Sequence, residues 1–222
     1  MSKSFNVVKR VLYDIRDSKP YTIRKLADGN CWMTEDLKIG GTSNVLLEAR
    51  YSDNTDNFTV PASNTALFNY SSGHATIRNQ PGFVITGNNY YYNAYAYTAG
   101  SYNDNLIDGS EMDTKSICPK NWRIPSVKTG VTKSYINLAV DVYSFKNSQT
   151  FTFPVNITQN TGLYYNSAIQ VPSRGSYYSG TTIQSRAYTM ATTLFNASGT
   201  ISYPNATSFN VADGSVIRCV AR

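Results

Sequence analysis

Apolar and polar positions repeat with a readable period at only a few places along the 222 residues. Val7 to Ile15 and Tyr21 to Leu26 have the short period of strands, the second setting Tyr21, Ile23 and Lys25 against Thr22, Arg24 and Leu26. Asp17-Ser18-Lys19-Pro20 separates them as a turn, which predicts an N-terminal hairpin. Asp28-Gly29 predicts another tight turn, because glycine enters positive φ without steric cost, and Trp32 in the following Cys31-Trp32-Met33 is the expected core anchor. Asn89 to Gly100 (NYYYNAYAYTAG) reads as a short helix with Tyr91, Ala94, Tyr95 and Thr98 on one face and Gly100 as its C-cap, a tyrosine-rich strand being the competing reading. In Ser116 to Ser126 (SICPKNWRIPS) two prolines favour an extended approach that points Trp122 and Ile124 inward.

Tyr135, Leu138, Ala139, Val142 and Phe145 recur at helical spacing opposite Lys133, Asn137, Asp141 and Ser144, the best helix in the chain. From Phe151 onward short strand-like runs alternate with Gly, Pro and Asn turns, and Ser215 to Val220 closes the chain as an alternating terminal strand. Gly40 to Gly87 has no sustained period and reads as loops and short strands laid over the core, an elaboration and not a second domain. The whole is expected to be one α+β domain over residues 1–222, with no internal repeat.

Composition adds an asymmetry. Only 15% of residues are charged, tyrosine occurs 18 times, and mean hydropathy is -0.34, so polarity comes from uncharged side chains and the signature of disorder is absent. All ten lysines and all three glutamates lie in Met1 to Lys146, whereas residues from Asn147 onward carry only Arg174, Arg186, Asp213, Arg218 and Arg222 as formal charges. The net charge of +6 does not single out nucleic acid, because the cations form no clustered basic face. They sit beside acids, as in Arg16-Asp17 and Glu35-Asp36-Leu37-Lys38, which reads as a solvated surface. No run approaches a membrane span, and Met1 to Tyr21 has no apolar core to serve as a secretory signal, so a soluble chain is expected.

The residues offer little catalytic chemistry. His74, the one histidine, stands in a loop composition and reads as a surface residue; no phosphate loop and no paired acid-base glutamates are present. Asp53, Asp56 and Asp104 lie among asparagines without the spacing of a calcium loop, and no cofactor or metal is expected. Cys31, Cys118 and Cys219 have no metal or redox spacing and allow one disulfide at most, leaving a free thiol. Five glycosylation sequons, beginning at Asn57, Asn69, Asn156, Asn196 and Asn205, are what chance delivers in a chain so rich in Asn, Ser and Thr. What stands out is Ser173 to Phe209, whose Tyr, Ser, Asn and Gly form the palette of antibody combining loops; a polar solvent-facing β region is the plainer reading.

Four ordered motifs carry a resemblance: DIRDSKPYTIRKLADGNCWMTEDL (14–37), YYNAYAYTAG (91–100), ICPKNWRIPS (117–126) and SVIRCV (215–220). Together they resemble the Fibrobacter paralogous surface domain, which belongs with C-type-lectin-like and formylglycine-generating-enzyme-like folds. Ser173-Arg174-Gly175-Ser176-Tyr177, followed by about forty residues and the terminal SVIRCV, is similar to the variable region of diversity-generating-retroelement variable proteins, with archaeal, Nanoarchaeota-type members as the expected relatives. The pattern departs from that family in having Tyr177 or Tyr178 where tryptophan is common.

The resemblance implies a C-type lectin-type fold with small antiparallel sheets, two helices, and paired N- and C-terminal strands, Tyr21 to Leu26 against Ser215 to Val220. It implies core positions for Trp32 and Trp122, and makes Cys118 with Cys219 the pair to test first. It also implies a non-enzymatic receptor or adhesin acting at a cell or virion surface, with a protein or cell-surface ligand. In that family adenines are mutated, mostly in Asn codons, which cannot yield Lys, Glu, Gln, Met or Trp; residues 173–209 lack Lys, Glu and Trp. Gln184 and Met190 are then scaffold positions. The implied variable, ligand-contacting residues are Tyr178, Ser179, Thr181, Ile183, Ser185, Tyr188, Thr192, Asn196, Ser202, Tyr203, Asn205 and Asn210, within a region at 173–210. The alternatives are a fixed-specificity surface adhesin and an oxidase of the formylglycine-generating type, whose reactive cysteine pair has no counterpart here.

Overall fold

The computed structural model describes residues 10–25, 29–52, 56–68, 80–100, 115–124, 150–152, 163–165, 168–170, 177–183, 186–190, 200–202, 206–210, 214 and 216–222. In chain order the elements are β1 (Arg10–Tyr13), β2 (Pro20–Lys25), β3 (Cys31–Met33), β4 (Val45–Leu47), β5 (Phe58–Val60), β6 (Phe83–Thr86), β7 (Asn89–Tyr92), the helical turn α1 (Ala94–Tyr97), β8 (Trp122–Arg123), β9 (Thr150–Thr152), β10 (Leu163–Tyr165), β11 (Ala168–Gln170), β12 (Tyr177–Ile183), β13 (Arg186–Met190), β14 (Thr200–Ser202), β15 (Ala206–Asn210) and β16 (Val220–Ala221). They form small antiparallel sheets with little helix. The helix expected at 135–145 lies outside the described residues.

The largest sheet has the order β1-β2-β3-β16-β8. The N-terminal hairpin forms as its sequence predicts, with Val11 opposite Thr22 and Tyr13 opposite Pro20. The chain then reverses through Gly29, at φ +78, and β3 occupies the free edge of β2, setting Ile23 against Met33 and Arg24 against Trp32. This corrects the expected pairing of Tyr21 to Leu26 with the terminal strand: β16 enters the same sheet but lies between β3 and β8, with Val220 opposite both Trp32 and Arg123. A strand a few residues away closes a short loop at little entropic cost, so it takes the edge before a strand nearly two hundred residues on.

The terminal strand also does not alternate. Residues Val216 to Val220 are all buried, because the centre of the sheet is covered on both faces, with Trp32 and Val220 on one and Tyr21, Met33 and Trp122 on the other. Trp32 and Trp122 are core residues as expected, 2% and 8% exposed.

The core beside this sheet is built on tyrosine. Asn89 to Gly100 satisfies both readings of its sequence in succession, a strand to Tyr92 and a helical turn from Ala94. The switch is made at Asn93, whose Oδ1 accepts from Ala96 N at 3.0 Å and Gly82 N at 2.8 Å, capping the turn. Gly100, at φ +76, ends it by donating to Tyr95 O at 2.9 Å. Tyr92 is fully buried, stacks on Phe83 at 5.0 Å, and donates to Ile39 O at 2.7 Å. Tyr21 Oη accepts from Lys38 N at 2.9 Å, so two tyrosines satisfy the backbone of residues 38 and 39. Region 40–87 is more than a cover over this core, since Leu47, Val60 and Phe83 are buried members of it.

Candidate ligand-binding region

The region expected to bind ligand, 173–210, lies in sequence between β8 and β16, which are neighbouring strands of the five-stranded sheet. Three contacts hold the chain beside these two strands. The Cys118–Cys219 disulfide links residues 101 apart, joining the two cysteines that the resemblance made the first to test and leaving Cys31 as the free thiol. Arg16, with its side chain 2% exposed, donates to Asp14 Oδ1 at 2.8 Å and Oδ2 at 2.6 Å, and to the carbonyls of Ile117 at 2.8 Å and Cys118 at 3.3 Å. Arg218 pairs with Asp36 at 2.7 Å, both side chains largely buried. These charges correct the solvated-surface reading of Arg16-Asp17 and Glu35-Asp36: sequence adjacency pointed to Asp17, whereas the partner of Arg16 is two residues upstream. Glu35 is drawn in as well, its Oε1 accepting from the Thr22 hydroxyl and backbone.

Within the region, β12, β13 and β15 form a ladder with β13 at its centre. Seven of the twelve expected contact positions lie in described strands: Tyr178, Ser179, Thr181 and Ile183 in β12, Tyr188 in β13, Ser202 in β14 and Asn210 in β15. Ser185, Thr192, Asn196, Tyr203 and Asn205 lie outside the described residues, as does Gln184. Directly opposed residues of an antiparallel ladder share a face. Ile183 opposes Arg186, Arg186 opposes Asn210, and Tyr188 opposes Ser208, so positions 183, 188 and 210 share one face. Met190, opposite Tyr177 and Ala206, is on that face too. Tyr178 opposes Thr189 and belongs to the other face, while Ser179 and Thr181 fall where the register shifts between Tyr178 and Thr182. Ser202 is in a separate ladder, opposite Thr150 of β9. The twelve positions therefore do not form one continuous strand face, and residues 150–152, upstream of the expected region, join it through β14. A period-two pattern cannot reveal the shift: between Tyr178 and Thr182, β12 carries two residues more than β13 does between Thr189 and Ala187, which keeps the faces in phase on either side and puts Ser179 and Thr181 inside the irregularity.

The electrostatics of the scaffold are those of a packed core. Burial raises the phenols of Tyr92, Tyr97 and Tyr21 well above the ordinary tyrosine value, and pushes Tyr91 up to about 12. No group of three or more His, Cys, Asp or Glu capable of holding a metal occurs among the described residues. Asp56 is 81% exposed and pairs with Lys115 at 3.3 Å; Asp53, Asp104 and His74 lie outside the described residues. Asn57, of the first sequon, accepts from Ala49 N at 2.9 Å. Among the described residues no helix is long and apolar enough to cross a membrane. No protein family, curated protein or solved structure matches the chain.

Proposed function

We propose that this chain is a non-enzymatic binding protein with a C-type lectin-type scaffold, and that its C-terminal region is a surface diversified by a retroelement to engage protein ligands on another cell or host. The observation that carries the reading is compositional: residues 173–209 contain no Lys, Glu or Trp in a protein with ten lysines, and these are among the residues that adenine mutagenesis of Asn codons cannot write. The scaffold supports it. The chain is fixed on both sides of the region, at β8 and β16, by a buried disulfide and two buried ion pairs. A segment held in this way can change sequence without loss of its attachment.

The oxidase alternative needs an accessible reactive cysteine pair. Cys118 and Cys219 are joined to each other and buried at 1% and 0% exposure, and Cys31 is the third and last cysteine. The fixed-specificity adhesin differs from the diversified protein in its gene and not in its fold. Sequencing the 3′ coding end and its flanks in related isolates separates the two. Diversification predicts a neighbouring reverse-transcriptase gene, a near-repeat of this coding end, and substitutions concentrated at positions such as Tyr178, Tyr188 and Asn210 with Gln184 and Met190 unchanged. Variation at Gln184 or Met190, or the lack of any repeat, defeats the reading.

A further inference from the structure

Among the described strands, β1 is an edge of the five-stranded sheet, with β2 as its neighbour. Its free side is defined by the phase of the hairpin. Pro20, opposite Tyr13, has no N–H, and Asp14 N donates to Lys19 O at 3.0 Å. The hydrogen-bonded positions facing β2 are therefore Arg10, Leu12 and Asp14, and the backbone N–H and C=O of Val11 and Tyr13 point outward. The same alternation packs Leu12 against the core and leaves Val11 48% and Tyr13 67% exposed, followed by Ile15 at 68%. Protein edges are ordinarily blunted by lysine, proline or a bulge. Between Arg10 and Tyr13 there is none of these.

We propose that β1 pairs antiparallel with β1 of a second copy of this chain, about a two-fold axis normal to the sheet at Leu12. The pairing is self-complementary. Continuity of the sheet faces across such an axis requires opposed residues of equal parity. With Leu12 on the axis, Val11 opposes the partner's Tyr13 in two symmetry-related hydrogen-bonded pairs, which use every outward backbone group of these two residues. The exposed apolar side chains then cover one another, and Arg10 falls opposite the partner's Asp14, so no like charges meet. Moving the axis one residue either way sets an apolar position against a charged one. The area is well under the roughly 1,200 Å² of a stable interface, so the dimer is weak, with a dissociation constant above about micromolar. The pairing stands on the N-terminal edge alone and does not depend on the proposed function; if both hold, one particle presents two ligand-binding regions.

Sedimentation equilibrium of the full chain from micromolar to millimolar concentration tests it. The expected result is a monomer–dimer equilibrium in which Val11→Pro raises the dissociation constant at least about tenfold, because the proline removes an outward N–H and no bond to β2. Tyr13→Lys, at an exposed side chain, produces the same loss, and it decides the matter should the proline variant fail to fold. A chain that stays monomeric to millimolar concentration overturns the proposal, as does a dimer that folded variants leave unchanged. A dimer retained in both variants but lost on removal of residues 1–9 also overturns it, and assigns the contact to that segment.

Discussion

Arg16 joins the hairpin turn to the approach of β8 through one side chain, with two bonds to Asp14 and two to the carbonyls of residues 117 and 118. Removing it leaves Asp14, at 2% exposure, as a buried charge without its partner. Arg16→Ala is expected to lower unfolding free energy by about 3 to 5 kcal/mol, with urea denaturation as the measurement. Replacing Arg16 and Asp14 together should lose less than the sum of the single changes, and strict additivity would show that the pair is not coupled. Gly40 is a second sensitive position: its φ is +123, and a Cβ there stands 2.7 Å from Phe83 Cε1. Gly40→Ala is expected to cost about 1 to 3 kcal/mol from backbone strain and displacement of the ring, read as a lowered thermal midpoint. Neither residue was legible beforehand, since Gly40 stood in a loop composition and Arg16 beside an acid it does not use.

At the level of elements, the disulfide between the approach to β8 and β16 closes a loop whose ends are 101 residues apart. Cys219→Ser is expected to reduce stability by about 2 to 5 kcal/mol. Denatured without reductant, the chain should take a thiol label at Cys31 alone; labelling of all three cysteines would rule out the crosslink. Strands β2 and β7 and the turn α1 each bring a buried tyrosine with a raised phenol pKa. In the unfolded chain these phenols ionise near their ordinary value of about 10. Above that pH the unfolded state has released protons that the folded state still holds, so stability is full below about pH 10 and falls as pH rises toward the folded values. Thermal midpoints measured from pH 8 upward should decline once phenol ionisation begins, with the 295 nm tyrosinate signal appearing together with unfolding. A smooth tyrosinate titration of a still-folded protein would contradict the burial of these rings.

For the whole molecule, a long stretch of sequence separates β8 and β16, neighbouring strands of the central sheet. If its β12–β13–β15 ladder displays residues for binding, positions 179, 181 and 210 should accept large changes. Ser179→Tyr, Thr181→Tyr and Asn210→Tyr together are expected to change unfolding free energy by less than about 1 kcal/mol. Loss of folding in the triple variant would mark these positions as structural and count against the proposed function. The local period of apolar residues was enough to place the hairpin and the buried tryptophans, because each depends on neighbours a few residues apart, whereas for Asn89 to Gly100 it offered helix and strand as rival readings and did not place the switch between them at Asn93. Residue types alone located the charge-poor C-terminal third. Strand order, the burial of Arg16, Asp14, Arg218 and Asp36, and the division of the candidate positions between faces and ladders came only with the folded chain. Each depends on which of several distant segments reaches a sheet edge or an opposite charge first, a competition between loop closure and burial that no local pattern records.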